Sequence, residues 1–143
     1  MRECTRLFGI DCGHRVTLHE SKCRNVHGHR YSIEVTVGAP DLDEVGRVVD
    51  FGVVKQVVGA WLDEALDHGY IHHPEDMIGH LLKEQGHKVF AMPERFGEPT
   101  AENLAELILH VAQKLLQLHD GALTVTKVRV WETPNCYADA HAG

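Results

Sequence analysis

His27-Gly28-His29 puts two imidazoles two residues apart, just ahead of a stretch in which Tyr31, Ile33, Val35 and Val37 alternate with polar residues. On a β-strand, residues two apart share a face, so both rings point to the side that carries the apolar set. His14 stands in the same relation to Phe8, Ile10 and Cys12. If these two segments pair antiparallel, three imidazoles converge beside an apolar wall. Three neutral nitrogens with a fourth position open is the arrangement of catalytic zinc, whereas structural zinc is closed by four Cys or His ligands. A His-Gly-His tripeptide alone is a weak signal that more often marks solvated rings, and His14 at the end of a second alternating segment brings the metal reading level with that one. His19, His72, His73, His80, His87, His110, His119 and His141 have no such spacing and read as exposed or hydrogen-bonded side chains.

Three further places could do chemistry. Cys23 lies between Lys22 and Arg24, and nearby cations favour a thiolate; beside a metal it could be a base, a nucleophile or a fourth ligand, and otherwise it is a loop thiol. Asp67-His68 sets a carboxylate next to an imidazole, the base-and-orienter pairing of acid–base sites, although neighbours in sequence often cannot touch. Glu132 ends a β-rich run before Thr133-Pro134 and by itself reads as a solvated strand-end carboxylate.

The elements that must position these groups can be read from periodicity. Residues 5–18 and 29–38 alternate as half-buried strands, joined by a polar loop. Asp50 can cap a helix over 51–66, with Phe51, Val54, Val57, Val58, Trp61, Leu62 and Ala65 on its apolar stripe. Pro74-Glu75-Asp76 can start a short helix that turns Met77, Ile78, Leu81 and Leu82 inward and stops at Gly86. A short strand is expected near Lys88–Met92. Thr100 caps a strong helix carrying Leu104, Leu107, Ile108, Val111, Leu115 and Leu118, ended by Gly121, and residues 123–132 and 136–141 return as strands. Grouped strands with helices on one face give an α+β fold, here a four-stranded antiparallel sheet. Its two open edges call for cover or for another chain, hence an oligomer.

Composition excludes several classes. At 143 residues the chain is expected to be one domain over 1–143, long enough to need no disulfide staples. A net charge of −7 argues against general nucleic-acid or anionic-membrane binding. Val57–Leu62, the longest apolar or glycine run, is far too short to span a membrane. The polar Met1–Arg6 start carries no signal-peptide pattern. Cys4, Cys12, Cys23 and Cys136 form no CxxC pair or disulfide framework, which points to free thiols in the cytoplasm. Twelve histidines make the charge steeply pH-dependent near pH 6.5.

In order along the chain stand Phe8-x5-His14-Arg15, Cys23-x3-His27-Gly28-His29-x-Tyr31, Gly46-x3-Asp50-Phe51-x3-Lys55, Leu66-Asp67-His68, Pro99-Thr100-x-Glu102-Asn103 and Glu132-Thr133. Over about residues 7–137 this order resembles the 6-pyruvoyltetrahydropterin synthase family, nearest its bacterial carboxy-forming branch, the 6-carboxytetrahydropterin synthases of queuosine biosynthesis. The resemblance implies the tunnelling fold (T-fold), an antiparallel sheet that trimerises into a barrel and stacks into a homohexamer, with sites at subunit interfaces. It implies His14, His27 and His29 as Zn²⁺ ligands, Cys23 as thiolate base, and Asp67 and His68 as proton-transfer partners. Glu132 would anchor the pterin, with Thr100 and Glu102 lining the same pocket. The implied substrate is a pterin triphosphate, 7,8-dihydroneopterin triphosphate, cleaved to 6-carboxytetrahydropterin, acetaldehyde and triphosphate. Lys22, Arg24 and Arg30 are candidates for the triphosphate by proximity.

The chain departs from the family in three places: Cys12-Gly13 precedes His14 where small apolar residues are usual, Ile71-His72 follows where Leu-Asn is common, and 71–99 is long. Cys12 could intrude on the metal. The three-residue gap between Cys23 and His27 favours the carboxy-forming branch over its nearest rival, the pyruvoyl-forming, phosphate-eliminating enzymes. A third reading is a non-catalytic zinc-binding assembly domain, in which Cys23 would be dispensable or would close the site.

Overall fold

A computed structural model of the chain describes residues 1–18 and 21–143; His19 lies outside them. Strands β1 (Arg2–His14) and β2 (His27–Ala39) form a long antiparallel hairpin. Their alternation has the expected consequence: Ile10, Cys12, Tyr31, Ile33, Val35 and Val37 are buried on one face, while Leu7 and Asp11 are exposed on the other. β5 (Thr124–Thr133) pairs antiparallel with β2, and β6 (Cys136–His141) with β5.

The sheet has six strands rather than four, in the order β4-β3-β1-β2-β5-β6. The additions are β3 (Tyr70–His72) and β4 (Val89–Ala91), which join β1 in parallel. The sheet is therefore mixed. Of these two only β4 is anticipated by the sequence, because three residues are too few to display an alternation.

Asp50 caps a helical run as expected, its carboxylate accepting from the Gly52 amide at 2.8 Å. The run comprises α1 (Phe51–Val54), a π-helical turn (Lys55–Gly59) and α2 (Ala60–Ala65). Such widened turns are rare in a helix. This one lies where the run packs tightly on the sheet, since a Cβ on Gly59 would stand 2.9 Å from the Phe8 ring.

The short helix α3 (Met77–Glu84) starts at the Asp76 cap, and Gly86 follows it with φ 84°. Met77 and Leu81 are exposed, against the inward placement their spacing suggested; Gly79 is the buried contact. Helix α4 (Ala101–His119) is capped by Thr100, a bond worth about 1 kcal/mol. It buries Leu104, Leu107, Ile108, Ala112 and Leu116, whereas Leu118 at its end points to solvent. The cores of α2, α4 and the sheet's inner face form one apolar cluster, and its Tyr31 ring lies against those of His14 and His29. No helix among the described residues is long and apolar enough to cross a membrane.

Candidate functional site

The β1–β2 register sets His14 directly opposite His27, and Cys12 opposite His29. The three rings stand 4.6, 5.1 and 4.8 Å apart between centroids, and one nitrogen from each lies within 4.8 Å of the other two. Their outer nitrogens are assigned by the backbone. His14 Nδ1 is 2.9 Å from the Pro99 carbonyl, and His27 Nδ1 is 2.7 Å from the Asn25 carbonyl. A carbonyl only accepts, so both Nδ1 atoms carry the hydrogen and both Nε2 atoms present lone pairs. Those two Nε2 atoms face each other at 3.1 Å.

Two acceptors at that distance repel unless a cation or proton lies between them. Tetrahedral zinc, with Zn–N of about 2.0–2.1 Å, holds its nitrogens about 3.3 Å apart, which is nearly the spacing seen. His29 Nε2 is buried without a hydrogen-bond partner, with the Glu132 carboxylate 3.4 Å away but not aligned as an acceptor. An orphaned buried nitrogen beside two opposed lone pairs fits a metal ion. Carbonyls behind ligating imidazoles are the usual way such rings are oriented. Burial lowers the His14 and His29 imidazoles below the ordinary histidine value, with the nearby Glu132 charge opposing in both. Burial thus favours the neutral form of His14 and His29, the form that ligates.

Glu132 reaches this place through a register shift in β5 between Trp131 and Thr133, where pairing with β6 slips by one residue. Bulges of this kind re-aim side chains beside sites. Glu132 borders a cavity of about 620 Å³ with His29, Arg30, Trp131, Thr133 and Pro134. Thr100 and Glu102 are not among its lining residues. The Thr100 hydroxyl oxygen accepts from the Asn103 amide at 3.2 Å, and Glu102 is exposed in the first turn of α4.

Asp67 and His68 do touch: His68 Nδ1 is 3.0 Å from Asp67 Oδ2. The contact depends on the left-handed backbone of His68, φ 62°, which costs a non-glycine residue roughly 1–2 kcal/mol. Bonds to β1 hold it there. The His68 amide donates to the Asp11 carbonyl at 2.6 Å, the Asp11 amide to Asp67 Oδ1 at 2.9 Å, and the Gly13 amide to the Gly69 carbonyl at 2.9 Å. The Asp11 amide bond, aided by His68, keeps the Asp67 carboxyl below its usual range. His68 projects into a second cavity, of about 590 Å³, shared with Cys12, Val26, His27, His29 and Arg30.

Cys12 does not intrude on the metal group. Its thiol donates to the Leu66 carbonyl at 3.2 Å, and burial with the charges of Asp67 and Asp11 pushes it up to about 12. Cys23 is half-buried in a 3₁₀ turn (Lys22–Arg24), fastened by the Val16 amide donating to its carbonyl at 2.9 Å. Among the described residues the group able to hold a metal comprises the three histidines alone, without either thiol. Arg30 lies over Gly9, where a Cβ would collide with it at 2.5 Å, and pairs with Asp11 at 3.0 Å.

Four contributors leave little or no mark in the sequence. Tyr31, read as apolar wall, sets its hydroxyl 3.2 Å from His14 Nδ1, and burial drives its phenol far above the ordinary value. The carbonyls of Pro99 and Asn25 carry no side-chain signal at all. Lys88 caps the Asp63 and Asp67 carbonyls from the long 71–99 segment; the sequence marks it only as the first residue of the expected strand.

A family model of 6-pyruvoyl tetrahydropterin synthase matches residues 3–142. The chain is 39% identical over 143 residues to the 6-carboxy-5,6,7,8-tetrahydropterin synthase of Rickettsia bellii, covering 97% of this chain and 99% of that one. It is 31% identical over 147 residues to the enzyme of the same name from Haemophilus influenzae, covering 97% and 98%. Among solved structures, an uncharacterized protein from Wolinella succinogenes superposes with TM-score 0.82 at 20% identity, covering 99% and 98%. The 6-pyruvoyl tetrahydropterin synthase of Caenorhabditis elegans does so at 0.72 and 22%, covering 99% and 96%.

Proposed function

The chain belongs to the 6-pyruvoyl tetrahydropterin synthase family, and on that footing we propose that it is a zinc-dependent 6-carboxy-5,6,7,8-tetrahydropterin synthase. The reaction turns 7,8-dihydroneopterin triphosphate and one water into 6-carboxytetrahydropterin, acetaldehyde and triphosphate, a carbon–carbon cleavage placed in 7-deazaguanine (queuosine) synthesis. The observation that carries this reading is the convergence of the three imidazoles, with the His14 and His27 lone pairs opposed and His29 Nε2 buried without a hydrogen-bond partner.

His14, His27 and His29 would hold the zinc through Nε2. When bound, zinc supplies Lewis-acid stabilisation of negative charge developing on the side-chain oxygens. The Glu132 carboxylate would accept the adjacent N–H donors of the pterin edge in parallel. Cys23, as thiolate, would remove a proton from the side chain. With Asp67 Oδ2 3.0 Å from its Nδ1, His68 would have Nε2 free to pass protons. Thr100, whose hydroxyl oxygen also caps α4, would border the pterin, and Glu102 would flank it. Lys22, Arg24 and Arg30 would offset the triphosphate charge.

Assembly is part of this reading. β1 pairs with β3 only at Gly13 and His14, so most of one side of β1 is open, and β6 is the opposite edge. Edge-to-edge joining of three copies would close a barrel, two of which stack as a hexamer. All four cysteines are free thiols, in keeping with a cytoplasmic setting. The test is mass spectrometry of products from metal-assayed protein given 7,8-dihydroneopterin triphosphate. Acetaldehyde with 6-carboxytetrahydropterin is expected; 6-pyruvoyltetrahydropterin, or no turnover, would overturn the assignment.

A further inference from the structure

We propose that Asn103 is a positioning residue for the metal centre, acting through the 96–99 loop to fix which nitrogen of His14 carries the proton. Only the affinity part of this rests on the proposed metal site. His14 Nε2 can ligate only if Nδ1 holds the hydrogen. Two groups face Nδ1: the Tyr31 hydroxyl at 3.2 Å and the Pro99 carbonyl at 2.9 Å. A hydroxyl can donate or accept and so suits either tautomer. The carbonyl only accepts, so its placement decides.

Pro99 has no amide hydrogen with which to anchor itself, and the loop before it turns at Gly97 with φ 73°. The anchor comes from α4. Asn103 Nδ2 donates to the Phe96 carbonyl at 2.8 Å and to the Glu98 carbonyl at 2.9 Å, spending both amide hydrogens on the two sides of that turn. The Asn103 backbone amide separately serves the Thr100 cap. From the other side the Glu98 carboxylate accepts from Thr17 Oγ1 at 2.6 Å and the Leu18 amide at 3.3 Å. The loop is thus tied both to α4 and to the segment that leaves His14.

A carboxylate at position 103 separates this role from helix formation. Asn103 is the third residue of α4, where a negative charge favours the helix. Asn103→Asp therefore keeps shape and helix start but turns acceptors toward two carbonyls. Gln113, an amide on the same helix that bonds the Leu123 carbonyl at 3.2 Å and the Val125 amide at 2.7 Å, provides the structural control.

The experiment is long-range ¹H–¹⁵N NMR of the histidines in the metal-free full chain, followed by zinc titration against a competing chelator. The wild type is expected to show His14 protonated at Nδ1. Asn103→Asp and Asn103→Ala should give mixed tautomers and bind zinc about 10–100-fold more weakly, while Gln113→Ala loses stability but keeps both properties. An unchanged tautomer and zinc affinity in Asn103→Asp, or an equal loss in Gln113→Ala, overturns the proposal. A wild type with the Nδ1 tautomer but no zinc uptake would defeat the metal reading and leave this one standing on the tautomers.

Discussion

Among the described residues two groups of histidines cluster, and one of them has the geometry of a metal site. His72 and His80 have ring centroids 5.9 Å apart, not far beyond the 5.1 Å between His14 and His29. In the first group the nitrogens serve the backbone. His72 Nδ1 donates to the His73 carbonyl at 2.7 Å, His80 Nε2 to the Pro74 carbonyl at 2.8 Å, and His73 Nδ1 accepts from the Glu75 amide at 3.0 Å. The His72 ring fills the space where a Cβ on Gly79 would sit 2.3 Å away, so it packs α3 against β3. Backbone carbonyls are also bonded in the triad, but there they lie behind the rings and the remaining nitrogens meet. Among the described residues no other such convergence occurs. Direction, more than the count of imidazoles, separates a ligand set from packing.

The contrast can be broken by substitution. His27→Ala is expected to abolish zinc binding and turnover together, while His80→Ala leaves both intact; metal analysis of the purified variants checks this. Cys23→Ala should keep near-stoichiometric zinc but lower turnover by at least about 10²–10⁴-fold, the range for removing a proton-transfer group. Retained turnover would favour a non-catalytic role for the thiol.

Acid should take the two regions apart in sequence. His14 and His29 are held below the ordinary histidine value by burial. The unfolded chain therefore binds more protons just below about pH 6.5, and metal-free protein loses stability as pH falls through that window toward the folded values. Asp76, whose side chain is fully buried beside Arg15 at 2.6 Å, behaves differently. Burial raises its carboxyl, but Arg15, Tyr70 and the Ile78 amide outweigh this and hold it below the usual range. Its contribution is complete above about pH 3.9 and fades only as pH falls through the lower folded value. Asp76→Ala, which leaves Arg15 unpaired, should cost about 3 kcal/mol in denaturant melts at neutral pH. The smallest change expected is Cys12→Ser, which retains a donor to the Leu66 carbonyl and should shift stability by about 1 kcal/mol or less.

How much of this was legible follows from the kind of signal each feature leaves. The β1–β2 hairpin and the triad were readable because strand alternation sets His14, His27 and His29 on the apolar face, and antiparallel pairing of the two strands then brings them together. β3 left no pattern in three residues and is held by pairing with β1 at Gly13 and His14. The exposure of Met77 and Leu81 reflects that α3 buries only a narrow strip around Gly79. The Asp67–His68 contact hangs on one backbone angle, and the Pro99 and Asn25 carbonyls belong to the main chain, where residue identity is silent.

Zinc K-edge X-ray absorption on the loaded full-length protein tests the central claim most directly. The account predicts three imidazole nitrogens and one exchangeable oxygen at about 2.0–2.1 Å with no sulfur. A zinc–sulfur shell near about 2.3 Å, or a fourth imidazole, would contradict it.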